Sequence, residues 1–402
     1  MEKTICELFA GVGGFRLGFE RENPDWKTVW FSQWEPGKTK QWAHDCYVAH
    51  WGDIDERTGI DIGEVDKSLI PDHNLLVGGF PCQDYSVARS LSGSQGIEGK
   101  KGVLWWQIRD TIETKKTPFV LLENVDRLLK SPASQRGRDF GVILACLAQF
   151  NYSVEWRVVN AADYGAGQRR RRVFIFAYKN TTKYGVAQNC LSIDEILKSS
   201  GLLAKAFPVE QEIKISSTTI DYSDIAYISE KFAFQFENSG CMRNGIIYTA
   251  KTKPITEKPI ILREIIEKDV DEKYYLGDNL EKWKYLKGAK KILRTSKAGH
   301  QYYFSEGPIA FPDSLDMPAR TMLTSESSVN RSTHVIEDPQ TKQYRLLTPI
   351  ETERIQGFED NWTNTGMPEK FRYFCMGNAL VVPMITRMAK QLDSIFNDEQ
   401  KK

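Results

Sequence analysis

Leu75-Leu76-Val77-Gly78-Gly79-Phe80-Pro81-Cys82-Gln83 is an apolar, β-forming run that stops at a glycine pair and a proline, then presents one cysteine. A buried strand that ends this way puts its last side chains at the carboxyl edge of a sheet, where open α/β folds bind ligands. Residues 84–102 follow, polar and punctuated by Gly93, Gly96, Gly99 and Gly102. They read as a long loop, and long loops in compact domains are usually functional. A structural cysteine beside a tight turn is the plainer reading of Cys82. The proline, the glutamine and the loop favour an exposed, working thiol.

Upstream, Thr4-Ile5-Cys6-Glu7-Leu8-Phe9 reads as a buried strand and Ala10-Gly11-Val12-Gly13-Gly14 as a tight turn. Phe15-Arg16-Leu17-Gly18-Phe19-Glu20 then opens a helix. Strand, glycine turn and helix is the nucleotide-binding unit of doubly wound folds. The spacing of Phe9, Gly11, Gly13 and Gly14 favours S-adenosylmethionine over a dinucleotide. A second strand through Trp34 ends in Glu35, placed to accept both ribose hydroxyls of such a cofactor. Asp53 is placed to accept from an adenine amino group, with Ile54 packing on the ring.

Downstream, a helix is expected from Val103 to Lys116, and an apolar strand from Pro118 to Leu122 that ends in Glu123-Asn124-Val125. A helix over 139–150 carries Ile143, Leu144, Leu147 and Phe150 on one face, and two strands follow, over 153–160 and 172–178. Between those strands sits Gln168-Arg169-Arg170-Arg171-Arg172. Such a run is commonly a solvated or targeting sequence. Entering a strand at the same sheet edge, it aims guanidinium groups at phosphates or a base. From about residue 180 to 338 the alternation stops, and the stretch reads as an irregular insertion. Residues 282–297 carry seven basic residues and no acid, with Trp283, Tyr285, Tyr302, Tyr303 and Phe304 within or just beyond them. Basic residues interleaved with aromatics fit nucleic-acid contact. Thr348-Pro349 with Glu351 begins a helix that runs to Gln356.

The 402 residues suffice for two domains, or for one large domain with an insertion. No apolar run reaches the ~18 residues of a membrane span, and the first strand begins too early for a signal peptide. The seven cysteines include no CxxC pair, so neither a zinc ribbon nor a disulfide framework is indicated, and a reducing cytoplasm fits best. No clustered ligand set for a metal is visible. A net charge of +1 means that nucleic-acid binding must come from local basic patches.

Taken in order, these stretches resemble the DNA cytosine-5 methyltransferase family. Leu8-Phe9-Ala10-Gly11-Val12-Gly13-Gly14-Phe15 is similar to its cofactor motif, Gly79-Phe80-Pro81-Cys82-Gln83 to its nucleophile motif and Glu123-Asn124-Val125 to its acid motif. Gln168-Arg169-Arg170-Arg171-Arg172 resembles its Gln-Arg-x-Arg motif. Arg345-Leu346-Leu347-Thr348-Pro349, with Glu351 and Gln356-Gly357-Phe358, resembles its ninth motif, and Gly377-Asn378-Ala379-Leu380-Val381 its last.

The resemblance implies an α/β fold, with the Rossmann-like doubly wound sheet of S-adenosylmethionine-dependent methyltransferases and an inserted, irregular target-recognition domain. Residues 1–180 and 370–402 are expected to form the catalytic and cofactor-binding domain, and residues 181–369 the target-recognition domain and hinge. It implies Cys82 as nucleophile, Glu123 as the acid at the cytosine ring, Arg172 at the cytosine O2, and Arg170 on a phosphate or steadying the loop. Phe9, Ala10, Gly11, Val12, Gly13, Gly14, Glu35, Asp53, Ile54, Pro81, Leu104, Asn378 and Leu380 are the expected cofactor residues. Gln83, Ser86, Arg170, Lys290, Lys291 and Thr321 are the expected DNA contacts. The expected substrate is double-stranded DNA with a flipped cytosine, in a restriction–modification pair with an endonuclease acting on the same site. A monomer, cytoplasmic and associated with the nucleoid, is expected. The first motif lies within ten residues of the start, which predicts no amino-terminal regulatory domain. A tRNA cytosine-5 methyltransferase is the alternative, but no Cys-Phe-Thr signature follows the arginine motif. A catalytically dead nucleic-acid-binding protein would lose Cys82, Glu123 or the glycine turn, and all three are present.

Overall fold

The computed structural model describes residues 1–80, 104–296 and 299–401. Pro81, Cys82, Gln83 and Ser86 lie outside the described residues. The strands β1 (Thr4–Leu8), β2 (Lys27–Ser32), β3 (Leu75–Gly79), β4 (Phe119–Val125), β5 (Tyr152–Asn160), β6 (Arg171–Lys179), β7 (Ile215–Thr219), β8 (Ser239–Arg243) and β9 (Ile246–Ala250) form one sheet. Their order is β2-β1-β3-β4-β6-β5-β8-β9-β7. β1 runs parallel to β2 and β3, and β3 parallel to β4. β6 runs antiparallel to both β4 and β5.

Leu75, Leu76 and Val77 are fully buried because β3 is covered on both faces, which is why its sequence is continuously apolar rather than alternating. Successive side chains enter different cores. Leu75, Val77, Phe119 and Leu121 meet Phe15 and Phe19 of the helix Gly14–Glu22, together with Met388, Leu392 and Phe396 of the terminal helix Val382–Gln400. Leu76, Val120 and Leu122 meet Trp105, Ile108 and Ile112 of the helix Leu104–Lys115, and Ile143, Leu144 and Leu147 of the helix Arg138–Gln149. Helices on both faces of a mainly parallel core make this the doubly wound, Rossmann-like sheet that the sequence predicts. The terminal helix crosses the first one at Gly18, where a Cβ would lie 2.6 Å from the Cβ of Ile385. Only glycine permits that approach.

The stretch after residue 180 is not wholly an irregular insertion. β8 pairs with β5, and β9 and β7 extend the sheet beyond it, so the sheet continues to Ala250. These strands have five residues each, and β7 (Ile-Ser-Ser-Thr-Thr) is a half-exposed edge. They carry no apolar run of the kind that reveals β3 and β4.

The remaining chain builds a third core, in which Leu262, Met322, Ile336, Ile355, Trp362, Cys375 and Met376 pack with Val12 and Leu17 beside the glycine turn. It includes two antiparallel ribbons, β10 (Lys290–Thr295) with β11 (Gln301–Glu306) and β12 (Val335–Glu337) with β13 (Tyr344–Leu346). The helix Pro349–Gln356 begins with a capping box between Thr348 and Glu351. Among the described residues no helix is long and apolar enough to cross a membrane.

Candidate active site

The parallel register aligns the carboxyl ends of three strands, with Leu8 opposite Gly78 and Gly79 opposite Glu123. From β1 the chain enters the turn through Phe9 at φ 57°, Gly11 at φ 58° and Gly13 at φ 86°. A Cβ on Gly13 would lie 2.2 Å from the Trp51 ring, so no larger residue fits. A Cβ on Gly11 would meet nothing within 4 Å. The Gly11 N–H donates to Gln33 Oε1 at 2.7 Å, and the Ala10 N–H to the Ser32 carbonyl at 2.9 Å.

Glu35 stands just beyond β2. Its N–H donates to Gln41 Oε1 at 2.7 Å, while its Oε2 is buried without a hydrogen-bond partner among the described residues. Desolvation raises this carboxyl above its ordinary range, opposed by the Lys38 ammonium. A half-buried carboxylate with an unpaired oxygen is suited to a pair of ribose hydroxyls. Asp53 Oδ1 accepts from the Ile54 N–H at 2.9 Å and from Thr58 Oγ1 at 2.8 Å, and Ile54 is 43% exposed. Leu380 packs on Gly14, where a Cβ would be 2.8 Å from its Cδ1. Asn378 is exposed at the end of the helix Glu369–Asn378, and Leu104 is half-buried at the start of its own helix. Open backbone at Gly11, the unpaired Glu35 oxygen and the exposed Ile54 therefore fit a nucleoside-type methyl donor.

Sequence reading assigned no role to Glu7, which lies fully buried beneath the turn. Tyr47 donates to its Oε2 at 3.1 Å, and burial pushes the carboxyl up to about 8. Beside it, Arg16 lies over the Trp51 ring at 4.7 Å, and both Arg16 and Trp51 donate to Glu20. The available signal was an acid one residue before the end of an apolar strand.

At the next strand ends, Glu123 Oε1 pairs with Arg172 Nε at 2.7 Å. A Cβ on Gly79 would be 3.3 Å from Glu123 Oε2, so the glycine leaves space beside the carboxylate. Asn124, buried one residue further on, donates from Nδ2 to the Phe80 carbonyl at 2.8 Å and so fixes the root of the Cys82 segment. Desolvation pushes the thiols of Cys46 and Cys241 up to about 12 and that of Cys146 up to about 11, which makes them poor nucleophiles.

The arginine run is not a uniform solvated face. Arg169 and Arg171 are exposed, whereas Arg170 is buried and Arg172 half-buried. Arg170 is thus enclosed by protein rather than presented to solvent. It donates from Nη1 to the Met322 carbonyl at 3.1 Å and from Nη2 to the Gly377 carbonyl at 3.0 Å. Gln168 Oε1 accepts from the Met322 N–H at 2.9 Å, and Thr321 Oγ1 donates to the Arg169 carbonyl at 2.6 Å. The segment carrying Thr321 is thus stitched to the strand that carries Arg172.

Lys290 and Lys291 lie on the β10–β11 ribbon, their ammonium groups 4.5 Å and 4.7 Å from the Tyr285 and Tyr303 ring centroids. Arg294 stacks on Phe304 at 3.7 Å, and Tyr285, Leu293 and Tyr303 are more than half exposed. Arg331 donates to the Leu286 and Gly288 carbonyls at the ribbon's root, each at 3.0 Å, and also to that of Gly307. Arg320 bonds Asp313 and the Ser332 carbonyl, which joins the same frame to Thr321.

The family described as C-5 cytosine-specific DNA methylase matches residues 3–394. The chain belongs to that family and is a DNA cytosine-5 methyltransferase. It is 54% identical to the type II methyltransferase M.Sau3AI of Staphylococcus aureus, over 98% of this chain and 97% of that one. It is 28% identical to the type II methyltransferase M.SsoII of Shigella sonnei, over 98% of this chain and 80% of that one. Among solved structures, the Entamoeba histolytica methyltransferase EhMeth shares the fold with a TM-score of 0.60 at 16% identity, over the full length of both chains. Methylation requires a methyl donor, and the turn at Phe9–Gly14 with Glu35 is where the residues fit one.

Proposed function

We propose that the chain methylates C5 of a cytosine flipped out of a specific double-stranded DNA sequence, with S-adenosylmethionine as the donor. The observation that carries the reading is the Glu123–Arg172 pair, set beside Gly79 at the root of the Cys82 segment and one strand away from the glycine turn.

Cytosine C5 is a poor nucleophile until the ring loses its aromaticity. The Cys82 thiolate adds to C6, forming an S–C bond and sending electron density towards N3. Glu123 holds a proton at N3 and accepts from the exocyclic amine. Arg172 keeps the Glu123 carboxyl in place and offers its remaining donors to the cytosine O2. The resulting enamine carbon is nucleophilic at C5, and the bound donor supplies an electrophilic sulfonium methyl. A water then removes the C5 proton, the S–C bond breaks and Cys82 leaves as thiolate. A stacked base is out of reach of this chemistry, so the cytosine is extruded first.

Reading of the target falls to the later part of residues 181–369, because the strands up to Ala250 complete the sheet. An antiparallel two-stranded ribbon fits the major groove of B-DNA. The β10–β11 ribbon, with Lys290, Lys291 and Arg294, is assigned to the duplex, while Thr321 faces the flipped base. The type II names of its relatives support a restriction–modification role, with a partner endonuclease acting on the same site. The tRNA reading has no support from the family match.

The test is to incubate plasmid DNA with the protein and S-adenosylmethionine and map converted cytosines by bisulfite sequencing. Methylation at one recurrent site is expected. Unmodified DNA together with modified tRNA would reverse the assignment.

A further inference from the structure

Arg170 is expected on a phosphate or steadying the loop, and its surroundings give the second role a specific content. Its guanidinium is buried, yet its two hydrogen bonds go to neutral carbonyls, and its Nε has no partner among the described residues. Holding two loops together with a buried cation is costly when apolar packing serves as well. What distinguishes this fork is the identity of the two loops it joins. The Met322 carbonyl belongs to the segment that carries Thr321. The Gly377 carbonyl immediately precedes Asn378 and Leu380, on the rim of the cofactor site.

These two segments also touch directly. A Cβ on Gly377 would lie 2.4 Å from both the Leu323 carbonyl carbon and the Thr324 nitrogen, so their backbones are in contact. Gln356 Nε2 braces the rim side, donating to the Met376 carbonyl at 2.6 Å and the Ala379 carbonyl at 3.2 Å. Gln168 Oε1 braces the other side through the Met322 N–H. Two residues beyond Arg170, Arg172 holds Glu123. One buried fork thus joins the Thr321 segment, the cofactor rim and the strand bearing Arg172, the partner of Glu123.

We infer that Arg170 is a positioning residue that couples the two binding events: engaging DNA at residues 321–324 tightens the cofactor rim, and the reverse. The inference rests on the methyltransferase reading above. Reciprocity is required, since any factor by which DNA tightens the cofactor is the factor by which the cofactor tightens DNA.

The test uses the full chain and S-adenosylhomocysteine, titrated calorimetrically alone and with a saturating duplex that contains the methylated site. For the unsubstituted protein, DNA is expected to tighten this ligand within the roughly 5–150-fold range usual for coupled sites. Arg170→Lys keeps the charge but replaces the two-pronged fork with a single ammonium. Gly377→Ala pushes the same seam apart from the other side. Both are expected to bring the coupling to within about twofold of unity; Arg170→Lys should change affinity for S-adenosylhomocysteine alone less than about threefold, whereas Gly377→Ala, on the rim itself, weakens that affinity as well. Thermal melts establish which variants fold, and Gly377→Ala decides if Arg170→Lys does not. A folded variant that retains the full coupling would overturn the inference, and so would two weakened affinities with an unchanged ratio. A coupling of unity in the unsubstituted protein overturns it too. Bisulfite mapping of the same preparation separates that outcome from failure of the methyltransferase reading.

Discussion

The Trp362 indole N–H donates to the Val12 carbonyl at 2.9 Å, so a residue of the third core holds the backbone of the glycine turn from a distance of 350 residues. The same indole stacks on His50 at 3.6 Å, and the His50 ring bonds the Trp362 carbonyl at 2.8 Å. Trp362→Phe removes the donor and keeps most of the stacking area. It is expected to weaken S-adenosylhomocysteine binding by ~1 kcal/mol, about fivefold in Kd. Calorimetric titration without DNA checks this, and an unchanged Kd would detach Trp362 from the cofactor site.

Glu123→Gln keeps the size of the side chain but removes its proton-holding capacity and its charge on Arg172. Single-turnover methylation with saturating DNA and donor should slow by roughly 10²–10⁴. Cys82→Ser, tested in parallel, should show no turnover, because a hydroxyl is far less nucleophilic at neutral pH. A normal rate for either variant would remove that residue from the chemistry.

Glu35→Ala deletes a buried carboxylate oxygen, Oε2, that has no partner among the described residues. Losing hydrogen bonds to a charged group costs about 1.5–3 kcal/mol, which corresponds to a 10- to 100-fold weaker cofactor. Binary DNA affinity should stay the same. A loss shared equally between cofactor and DNA would point to misfolding instead.

Glu7 gives a pH signature. Its carboxyl is raised by burial from 4.5 to about 8, against the opposing Tyr47 hydrogen bond and the nearby Arg16. The folded protein therefore holds a proton that the unfolded chain releases near pH 4.5, and stability falls as pH rises from there towards 8. At roughly 1.4 kcal/mol per pKa unit, the effect amounts to a few kcal/mol. Glu7→Gln should flatten the fall of Tm between pH 5 and 8. A variant whose Tm declines as steeply as that of the parent would mean that Glu7 is already ionised at pH 5.

Replacing Lys290 and Lys291 together by alanine should weaken binding to every duplex alike. Two lost phosphate contacts reduce the log–log salt slope by about 1.8. Thr321→Val removes the hydroxyl that bonds the Arg169 carbonyl and should alter target discrimination with little change in that slope. Equal effects on target and non-target DNA from both variants would erase the division between positioning and reading.

Local sequence revealed what local physics decides. β3 and β4 are legible because strands covered on both faces must be apolar throughout, and the glycine turn because positive φ and the Trp51 contact demand glycine. The capping box at Thr348 and Glu351 is written within four residues. The partners of Arg170 are not legible locally, because the Met322 and Gly377 carbonyls lie 152 and 207 residues away. β7 to β9 escaped notice because short, partly polar strands at the far end of a sheet bury too little to show a pattern. The only local sign at Glu7 is its place inside an apolar strand; the environment that raises its carboxyl is assembled by Tyr47 and Arg16, which the strand does not name.

The close crossing at Gly18 and Ile385 has a consequence for how the molecule is made. The helix that completes the core around β1 and β3, Val382–Gln400, is translated more than 370 residues after β1. At ~5–20 residues per second, the first strand waits about 20–80 s for that partner. Throughout that interval its apolar face is open to chaperones, proteases and other nascent chains. Functional enzyme therefore lags behind the start of its own synthesis, and a nonsense mutation at the start of the helix Val382–Gln400 should abolish the fold, because Met388, Leu392 and Phe396 would be lost from that core.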